Sequence, residues 1–181
     1  FARKDESGRR QYYKDLEGMV MQLYNYPSIA VWVPFNEGWG QFDSTSAYHK
    51  MKELDDSRFI GSTSGWFKGG ESDVSSEHCY FKPFKIKNSK LPVVLTEFGG
   101  YAFAPEDHRF NVGNEYGYKK FKTRDELVFA VSELYEHDII PAIKKGLCAA
   151  IYTQISDVED ETNGILSYDR IVLKIKPEEF L

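Results

Sequence analysis

Two glutamates in this chain each stand directly after a short apolar run. The first run covers residues 29–35 and is followed by Asn36 and Glu37, and the second covers residues 91–96 and is followed by Glu97. A continuous apolar run bounded by turn residues indicates a buried parallel strand, and α/β barrels place their chemistry at the C-terminal ends of such strands. We therefore predict that Glu37 and Glu97 are catalytic residues.

Two carboxylates delivered at the same end of two barrel strands can face each other across a pocket. Such a pair can serve as proton donor and nucleophile at a glycosidic bond, and these are the two catalytic groups of a glycoside hydrolase. A single glutamate after a strand is more often a neighbour of a helix cap or a partner in a surface ion pair. The repetition of the pattern, with Asn36, Gly99 and Gly100 beside the two glutamates, favours the catalytic interpretation.

Several segments resemble one known enzyme family. Residues 32–39 (WVPFNEGW) and 96–100 (TEFGG) resemble the two catalytic signatures of the family 2 glycoside hydrolases, which include β-galactosidases, β-glucuronidases and β-mannosidases. Residues 61–66, 73–80 and 152–170 also resemble the family pattern, so the similarity extends over nearly all of the chain. The resemblance implies an α/β fold that forms about strands 4–8, the C-terminal portion, of a (β/α)8 TIM barrel.

The resemblance also assigns roles to the residues of the two signatures. It implies a retaining mechanism in which Glu37 is the acid/base and Glu97 is the nucleophile. Asn36 would donate a hydrogen bond to the 2-hydroxyl of the sugar, an interaction that strengthens in the transition state. The alternative for Asn36 is a residue that merely favours a turn at the end of a strand.

Tyr80 and His78 lie together on the strand that the resemblance equates with the sixth strand of the barrel. Related enzymes place a tyrosine there that donates a hydrogen bond to the nucleophile, but Tyr80 is almost as easily explained as a buried tyrosine that satisfies its own hydroxyl. His78 precedes it by two residues, on the same face of the strand, and can line the pocket. A single histidine beside a strand is more often a structural residue.

Three further aromatic residues are candidates for the sugar subsite. Trp39 and Trp66 follow strand ends, where an indole can serve as a platform for a sugar ring, whereas Trp32 lies within its strand and is predicted to be core. Tyr152 ends the last predicted strand, where many members of the family carry a tryptophan floor. Because this chain has tyrosine there, the shape of its subsite is expected to differ from that of those members.

The resemblance leaves the substrate partly open. A β-glucuronidase needs an Asn-x-Lys element after the nucleophile to bind the uronate carboxylate, and the only such triplet, residues 88–90, precedes Glu97. We therefore predict a neutral β-hexoside as the substrate, with galactoside first because it is frequent in the family. The alternative is a non-catalytic carbohydrate-binding or scaffold domain derived from a truncated barrel.

Composition and charge argue against other classes of function. The net charge is −5 and the basic residues are scattered, which disfavours a nucleic-acid partner. No apolar run approaches the ~20 residues that a membrane helix requires. The four histidines lack the short spacings of zinc ligands, and the acidic residues at 157–161 are predicted to be a solvated loop, so we expect neither a metal nor another cofactor.

Cys79 and Cys148 are the only cysteines of the chain. Each lies in a segment that we predict to be a buried strand, and their spacing does not suggest a metal site. We expect both to be free thiols. A disulfide between the two remains the alternative.

Hydrophobic periodicity predicts helices alternating with strands. Helices are predicted at 9–24, after a cap at Asp43 or Ser44, at 124–143 and from about Ile171; strands are predicted from Ile29 and at 58–60, 73–80, 92–96 and 146–152, with a long loop at 100–123. This alternation predicts one α/β unit with parallel strands, a single partial barrel domain over residues 1–181. A complete barrel takes ~250 residues. We therefore expect the first three barrel strands and the preceding β-sandwich domains of the family in a longer parent enzyme.

Overall fold

The computed structural model of the protein describes residues 2–180, which form helices and short strands in alternation. The helices are α1 (Glu6–Leu23), α2 (Ser44–Leu54), α3 (Arg124–Leu134) and α4 (Ile140–Ile143); the strands are β1 (Val31–Trp32), β2 (Phe59–Ile60), β3 (Ser75–Cys79), β4 (Val93–Gly99), β5 (Tyr101–Ala102), β6 (Lys119–Lys120) and β7 (Leu147–Thr153). A π-helical turn at Tyr135–Ile139 joins α3 to α4, and a 3-10 turn covers Pro177–Phe180. The described residues divide into two compact units, the first with residues 2–78 and 88–94, the second with residues 79–87 and 95–180.

The first unit packs α1 and α2 against the parallel pair β1–β2. In this pair Val31 lies opposite Phe59 and Trp32 lies opposite Ile60. The apolar faces of the helices and strands meet in one core, formed by Leu16, Val20, Trp32, Met51 and Ile60. The predicted cap of α2 is confirmed, because the Asp43 side chain accepts a hydrogen bond from the backbone N–H of Ser46.

The second unit is built around α3. Its start at Thr123 is a capping box in which the Thr123 and Glu126 side chains each accept a hydrogen bond from the backbone of the other residue. Leu127 and Val131 on the buried face of α3 pack with Ile175 and with a ring of partly buried aromatic side chains. The segment predicted as a long loop contains the short parallel pair β5–β6.

Strand β4 lies between β3 and β7 in a three-stranded sheet. Its first two residues belong to the first unit and the rest to the second. The mixed α/β architecture and the parallel pairing of the strands confirm the coarser part of the fold prediction. The assignment to strands 4–8 of a TIM barrel and the prediction of a single domain stay predictions.

Strand β1 is shorter than its apolar run suggested, and β7 is less buried than the sequence predicted. Pro34 follows β1 closely and has no backbone N–H to donate to a neighbouring strand. In β7 only Leu147 is fully buried, and residues 148–151, whose side chains alternate between the two faces of the sheet, are exposed. Cys148 is therefore exposed rather than buried, Cys79 is partly buried, and the two form no disulfide.

The C-terminal segment does not form the helix predicted from Ile171. Leu166 and Leu173 pair as an antiparallel bridge, and the backbone N–H of Lys174 donates to the carbonyl of Ile165 at 2.8 Å. This hairpin brings the Lys174 ammonium to the Asp157 carboxylate at 2.6 Å, with both side chains buried. Asp157 is thus a buried ion-pair partner, which corrects the prediction that the whole acidic run is solvated.

None of the helices in residues 2–180 combines the length and apolar character that crossing a membrane requires.

Candidate active site

Glu37 lies on a tight turn that begins five residues after the end of β1, directly after the bridge residue Asn36. Asn36 forms a parallel bridge with Ser64, and the Ser64 hydroxyl donates a hydrogen bond to the Asn36 side-chain oxygen. The Glu37 backbone N–H donates to the Ser64 carbonyl at 3.0 Å, and its φ of 52° lies in the left-handed region. This conformation costs a residue with a side chain on the order of 1 kcal/mol, and such strain is concentrated at functional sites. The turn therefore marks Glu37 as a candidate for function.

The carboxylate of Glu37 is paired with a buried imidazole. Its Oε1 lies 2.7 Å from His78 Nδ1, and the side chain of His78 is 0% exposed while that of Glu37 is 15% exposed. The Trp66 indole N–H donates to the His78 carbonyl at 3.4 Å, and its ring meets the imidazole edge-on. His78 is therefore a contact of Glu37 within the first unit.

Glu97 lies near the C-terminal end of β4 and accepts a hydrogen bond from the Tyr80 hydroxyl. Burial raises the pKa of Tyr80, and the hydrogen bond to Glu97 raises it further, so this hydroxyl keeps its proton. The hydroxyls of Tyr80 and Thr153 are 3.0 Å apart. Because the Tyr80 hydroxyl donates its one hydrogen bond to Glu97, it accepts the second bond, and the Thr153 hydroxyl is the donor there. Glu97 is thus held by a chain of two hydroxyls from neighbouring elements of the second unit.

The ring of Tyr80 is fixed by Tyr118, which comes from the connection between β5 and β6. The two rings stack with centroids 3.8 Å apart and planes 7° apart. Tyr118 is tied to the end of β4 by its backbone N–H, which donates to the carbonyl of Gly100 at 2.9 Å. A Cβ on Gly100 would overlap the Tyr118 ring, and its φ of +64° also favours glycine. Gly100 is therefore required by close packing as well as by backbone conformation.

The predicted tryptophans are exposed to solvent, whereas Tyr152 packs in a hydrophobic cluster of the second unit. Trp39 is 68% and Trp66 51% exposed. The Tyr152 ring packs edge-on against Phe98 in the hydrophobic cluster of the second unit, where burial raises its pKa. Side chains alternate along a strand, so Thr153 rather than Tyr152 reaches Tyr80. The Tyr152 side chain therefore lies in that cluster and not beside the Tyr80 hydroxyl.

Ser64, Thr153 and Tyr118 contribute to these groups although the sequence did not single them out. Ser64 lies in the segment GSTSG and Thr153 directly follows Tyr152, so both positions were within the motifs considered. Tyr118 lies far from Tyr80 in sequence, and no local pattern marks its contact.

The arrangement supplies the elements of acid/base and nucleophilic chemistry. Glu97 receives a hydroxyl donor and can carry the negative charge of a nucleophile, whereas Glu37 is paired with an imidazole and can exchange a proton. Two carboxylates in different environments are what a double displacement at an acetal needs.

Comparison with known proteins gives matches of fold but not of sequence. No protein-family model matches the chain, and no curated protein is significantly similar to it. Among solved structures, it is similar to an FMN-binding β-glucuronidase from Faecalibacterium prausnitzii L2-6, with a TM-score of 0.63 and 14% identity over 94% of this chain. It is also similar to β-glucuronidase 3 of Bacteroides uniformis (TM-score 0.61, 16% identity) and to a β-glucuronidase of Parabacteroides merdae (TM-score 0.62, 17% identity), each over 93% of this chain.

These similarities establish a glycosidase-like fold for the chain. The matched region covers 31% of the first of these proteins and 27% of each of the other two, so this chain spans about a third of their length or less.

Proposed function

We propose that this chain is the C-terminal part, about strands 4–8, of the TIM barrel of a retaining family 2 β-glycoside hydrolase. The observation that carries the proposal is that Glu37 follows the bridge residue Asn36, Glu97 lies near the C-terminal end of β4, and each has its own hydrogen-bond partner. Different surroundings allow two carboxylates to divide the roles of acid and nucleophile. The glycosidase-like fold and the two signature segments support the same assignment.

In the first step the Glu97 carboxylate attacks the anomeric carbon, and the bond from that carbon to the glycosidic oxygen breaks. The proton of Glu37 passes to the departing oxygen, which leaves as an alcohol. In the second step Glu37, now a carboxylate, takes a proton from water while the water oxygen attacks the anomeric carbon. The ester bond to Glu97 breaks and its electron pair returns to the carboxylate, so the product keeps the original configuration.

Neighbouring residues support this chemistry. The Tyr80 hydroxyl orients the Glu97 carboxylate, and Thr153 in turn orients Tyr80. Asn36, fixed by Ser64, would donate its amide N–H to the sugar 2-hydroxyl, because the amide oxygen is already used as an acceptor. Trp39 and Trp66 provide exposed indole faces for sugar rings.

The proposal places the chain within a longer polypeptide. The similar structures are about three times its length or more, and a barrel of this type has eight strands. Preceding barrel strands and β-sandwich domains would supply the remaining part of the pocket. The carbohydrate substrate is the partner that the proposal requires.

For the substrate we propose a neutral β-hexoside, with β-galactoside as the first choice. The similar solved structures are β-glucuronidases, which makes a β-glucuronide the second choice. The chain has no Asn-x-Lys triplet after Glu97 with which to bind a uronate carboxylate. This absence supports the neutral sugar.

The proposal is tested by the products that azide forms with two variants of the longer enzyme. Glu97→Ala removes the nucleophile, so azide attacks the substrate directly and should give the glycosyl azide of inverted configuration. Glu37→Ala keeps the nucleophile, so aryl substrates with good leaving groups still form the ester, and azide should then give the azide of retained configuration. Swapped configurations would reverse the two roles.

A chromogenic assay of the longer enzyme separates the proposal from a carbohydrate-binding or scaffold domain. An enzyme should hydrolyse a chromogenic β-galactoside or β-glucuronide, and without added azide either glutamate variant should lose steady-state turnover of that substrate. A binding domain would retain affinity for the sugar without turnover, and the glutamate variants would then leave the chromogenic assay unchanged.

A further inference from the structure

We infer that His78 is a positioning residue that holds Glu37 for proton transfer, and this inference rests on the proposed function. In this assignment His78 donates a hydrogen bond from Nδ1 to Oε1 of Glu37. The other carboxyl oxygen, Oε2, is then the one that exchanges the catalytic proton. His78 thus acts through Glu37 instead of binding the sugar itself.

The burial of His78 argues for positioning over contact with the substrate. Its side chain is 0% exposed in the chain, whereas that of Glu37 is 15% exposed, so the carboxylate and not the imidazole reaches solvent. The ring is held from the side by Trp66, whose indole N–H donates to the His78 carbonyl at 3.4 Å. A sugar cannot contact an imidazole that has no accessible surface.

Glu37 and His78 occupy space that is available because Gly65 has no side chain. A Cβ built on Gly65 would lie 2.8 Å from His78 Nδ1 and 2.9 Å from Glu37 Cγ, both too close for real atoms. Gly65 also has a φ of +76°, which a residue with a side chain rarely adopts. The backbone beneath Glu37 is fixed as well, because its N–H donates to the Ser64 carbonyl at 3.0 Å. Both ends of the 2.7 Å contact between Glu37 and His78 are therefore fixed by their surroundings.

The chemical benefit lies in the two states of Glu37 during the reaction. When Oε2 has given its proton to the glycosidic oxygen, the carboxylate that remains keeps an N–H donor on Oε1. The same donor then steadies the carboxylate while Oε2 takes a proton from the attacking water. A catalytic group misplaced by 1 Å can cost on the order of 100-fold in rate, so one well-placed hydrogen bond has a measurable effect.

The first test compares leaving groups in the longer enzyme. His78→Ala should lower kcat about 100-fold for β-glycosides with sugar or alkyl leaving groups, which need protonation, and less than about 10-fold for dinitrophenyl glycosides, which do not. His78→Asn should recover part of the loss, because its amide N–H can occupy the place of Nδ1–H. An equal loss for all leaving groups, or no loss, would overturn the inference.

His49 provides a matched control in the same unit. It also forms a His–Glu pair, with Glu71 at 3.2 Å, but both side chains are more than half exposed. His49→Ala should therefore change neither set of substrates. If this variant shows the same dependence on leaving group, the effect is not specific to His78 and the inference fails.

The second test needs no turnover and uses the 181-residue chain with 15N-labelled histidine. NMR should show a proton on His78 Nδ1 that exchanges slowly, and Glu37→Ala should make that proton exchange faster. An unprotonated Nδ1 would overturn the inference even if the enzyme is a glycosidase. A wild-type longer enzyme without activity on any β-glycoside would instead refute the proposed function, so the two failures are distinguishable.

Discussion

Removing the buried ammonium of Lys174 should destabilise the second unit strongly. Lys174 is 0% and Asp157 1% exposed at the side chain, and their contact is 2.6 Å. The ammonium also donates to the Thr162 carbonyl at 2.9 Å, while Asp157 Oδ1 accepts a second bond from the Gly164 N–H at 2.8 Å. Lys174→Met leaves a buried carboxylate with this one remaining donor, and breaking a buried pair in this way costs about 3–5 kcal/mol.

The double variant Asp157→Asn, Lys174→Met should recover most of this loss. The asparagine side chain is neutral, and its amide oxygen can still accept the bond from the Gly164 N–H. The Thr162 carbonyl still accepts a bond from the Phe103 backbone N–H at 3.1 Å. The remaining defect is the asparagine amide N–H2, which takes the place of the buried Oδ2 atom that has no hydrogen-bond partner, at a cost of about 1–3 kcal/mol. For a chain of this size 1 kcal/mol corresponds to about 2–4 °C in Tm, so Lys174→Met should lower Tm by roughly 6–20 °C and the double variant by clearly less.

The pH dependence of the stability of Lys174→Met provides an independent test of the same cause. Burial raises the pKa of Asp157, and Lys174 opposes that effect in the wild type. Without Lys174 the folded-state pKa lies further above the unfolded value, so folding favours the protonated acid and the defect should grow as pH rises. Thermal unfolding at pH 5 and pH 8 measures this difference.

Lys50→Met is the matched control, since Lys50 and Glu53 form a 3.9 Å surface pair that should contribute less than about 1 kcal/mol. A free energy of unfolding for Lys174→Met within about 1 kcal/mol of wild type would refute the reasoning. So would a double variant as unstable as the single one, because the unpaired charge would then not be the cause.

Three further predictions concern a carboxylate, a hydroxyl and a glycine. Burial would raise the pKa of the Asp55 carboxyl, but hydrogen bonds from its neighbours outweigh burial and lower the pKa. The wild type should therefore be more stable than Asp55→Asn above about pH 5, and this difference in unfolding free energy should shrink as the pH falls below ~4. A difference that grows on acidification would contradict this prediction. Tyr80→Phe removes the donor to Glu97 and should lower kcat of the longer enzyme by about 100-fold while the chain stays folded by circular dichroism; an unchanged kcat would exclude this role. Gly100→Ala places a Cβ at a positive φ and against the Tyr118 ring, so it should destabilise the chain by more than about 1 kcal/mol in urea unfolding. Gly18→Ala lies within α1 with open space beside it and should stabilise the chain by about 0.5–1 kcal/mol. Equal effects of the two variants would contradict the packing described.

Local signals predicted the helices of the first unit and their ends well. The periodic apolar positions placed α1 within three residues of its observed start, and the Asp43 cap was identified by residue type. The sequence also placed Trp32 in the core, where its indole N–H donates to Asp55 at 2.8 Å. These features depend on residues close in sequence or on hydrophobicity alone.

Features that depend on distant contacts were not predictable. The hairpin that ends at Lys174 forms because its backbone pairs with Ile165 and its ammonium with Asp157, and neither contact leaves a local pattern. The exposure of residues 148–151 in β7 depends on which distant segments cover the two faces of the sheet, and an apolar run alone does not reveal this. An apolar run indicates a strand but not how many of its sides are covered.

The candidate site shows the same division between local and distant information. Residue type and position after an apolar run predicted Glu37 and Glu97 as catalytic residues, and this assignment stays a prediction. The alternation along β7, which sends Tyr152 into the core and Thr153 to Tyr80, depends on one residue of register. A motif identifies the strand end, whereas the register decides which of two adjacent side chains takes part.

The most direct test of the account is to identify the residue that carries the sugar in the covalent intermediate. A β-glycosyl fluoride with fluorine at C2 forms the ester but slows its hydrolysis, because the fluorine destabilises the oxocarbenium-like transition states and the fluoride leaving group still allows the first step. Peptide mass spectrometry of the longer enzyme after this treatment should find the sugar on Glu97, and Glu97→Gln should abolish the label. A label on any other residue, or a natural product of inverted configuration, would contradict the assignment of Glu97 as the nucleophile of a retaining glycosidase.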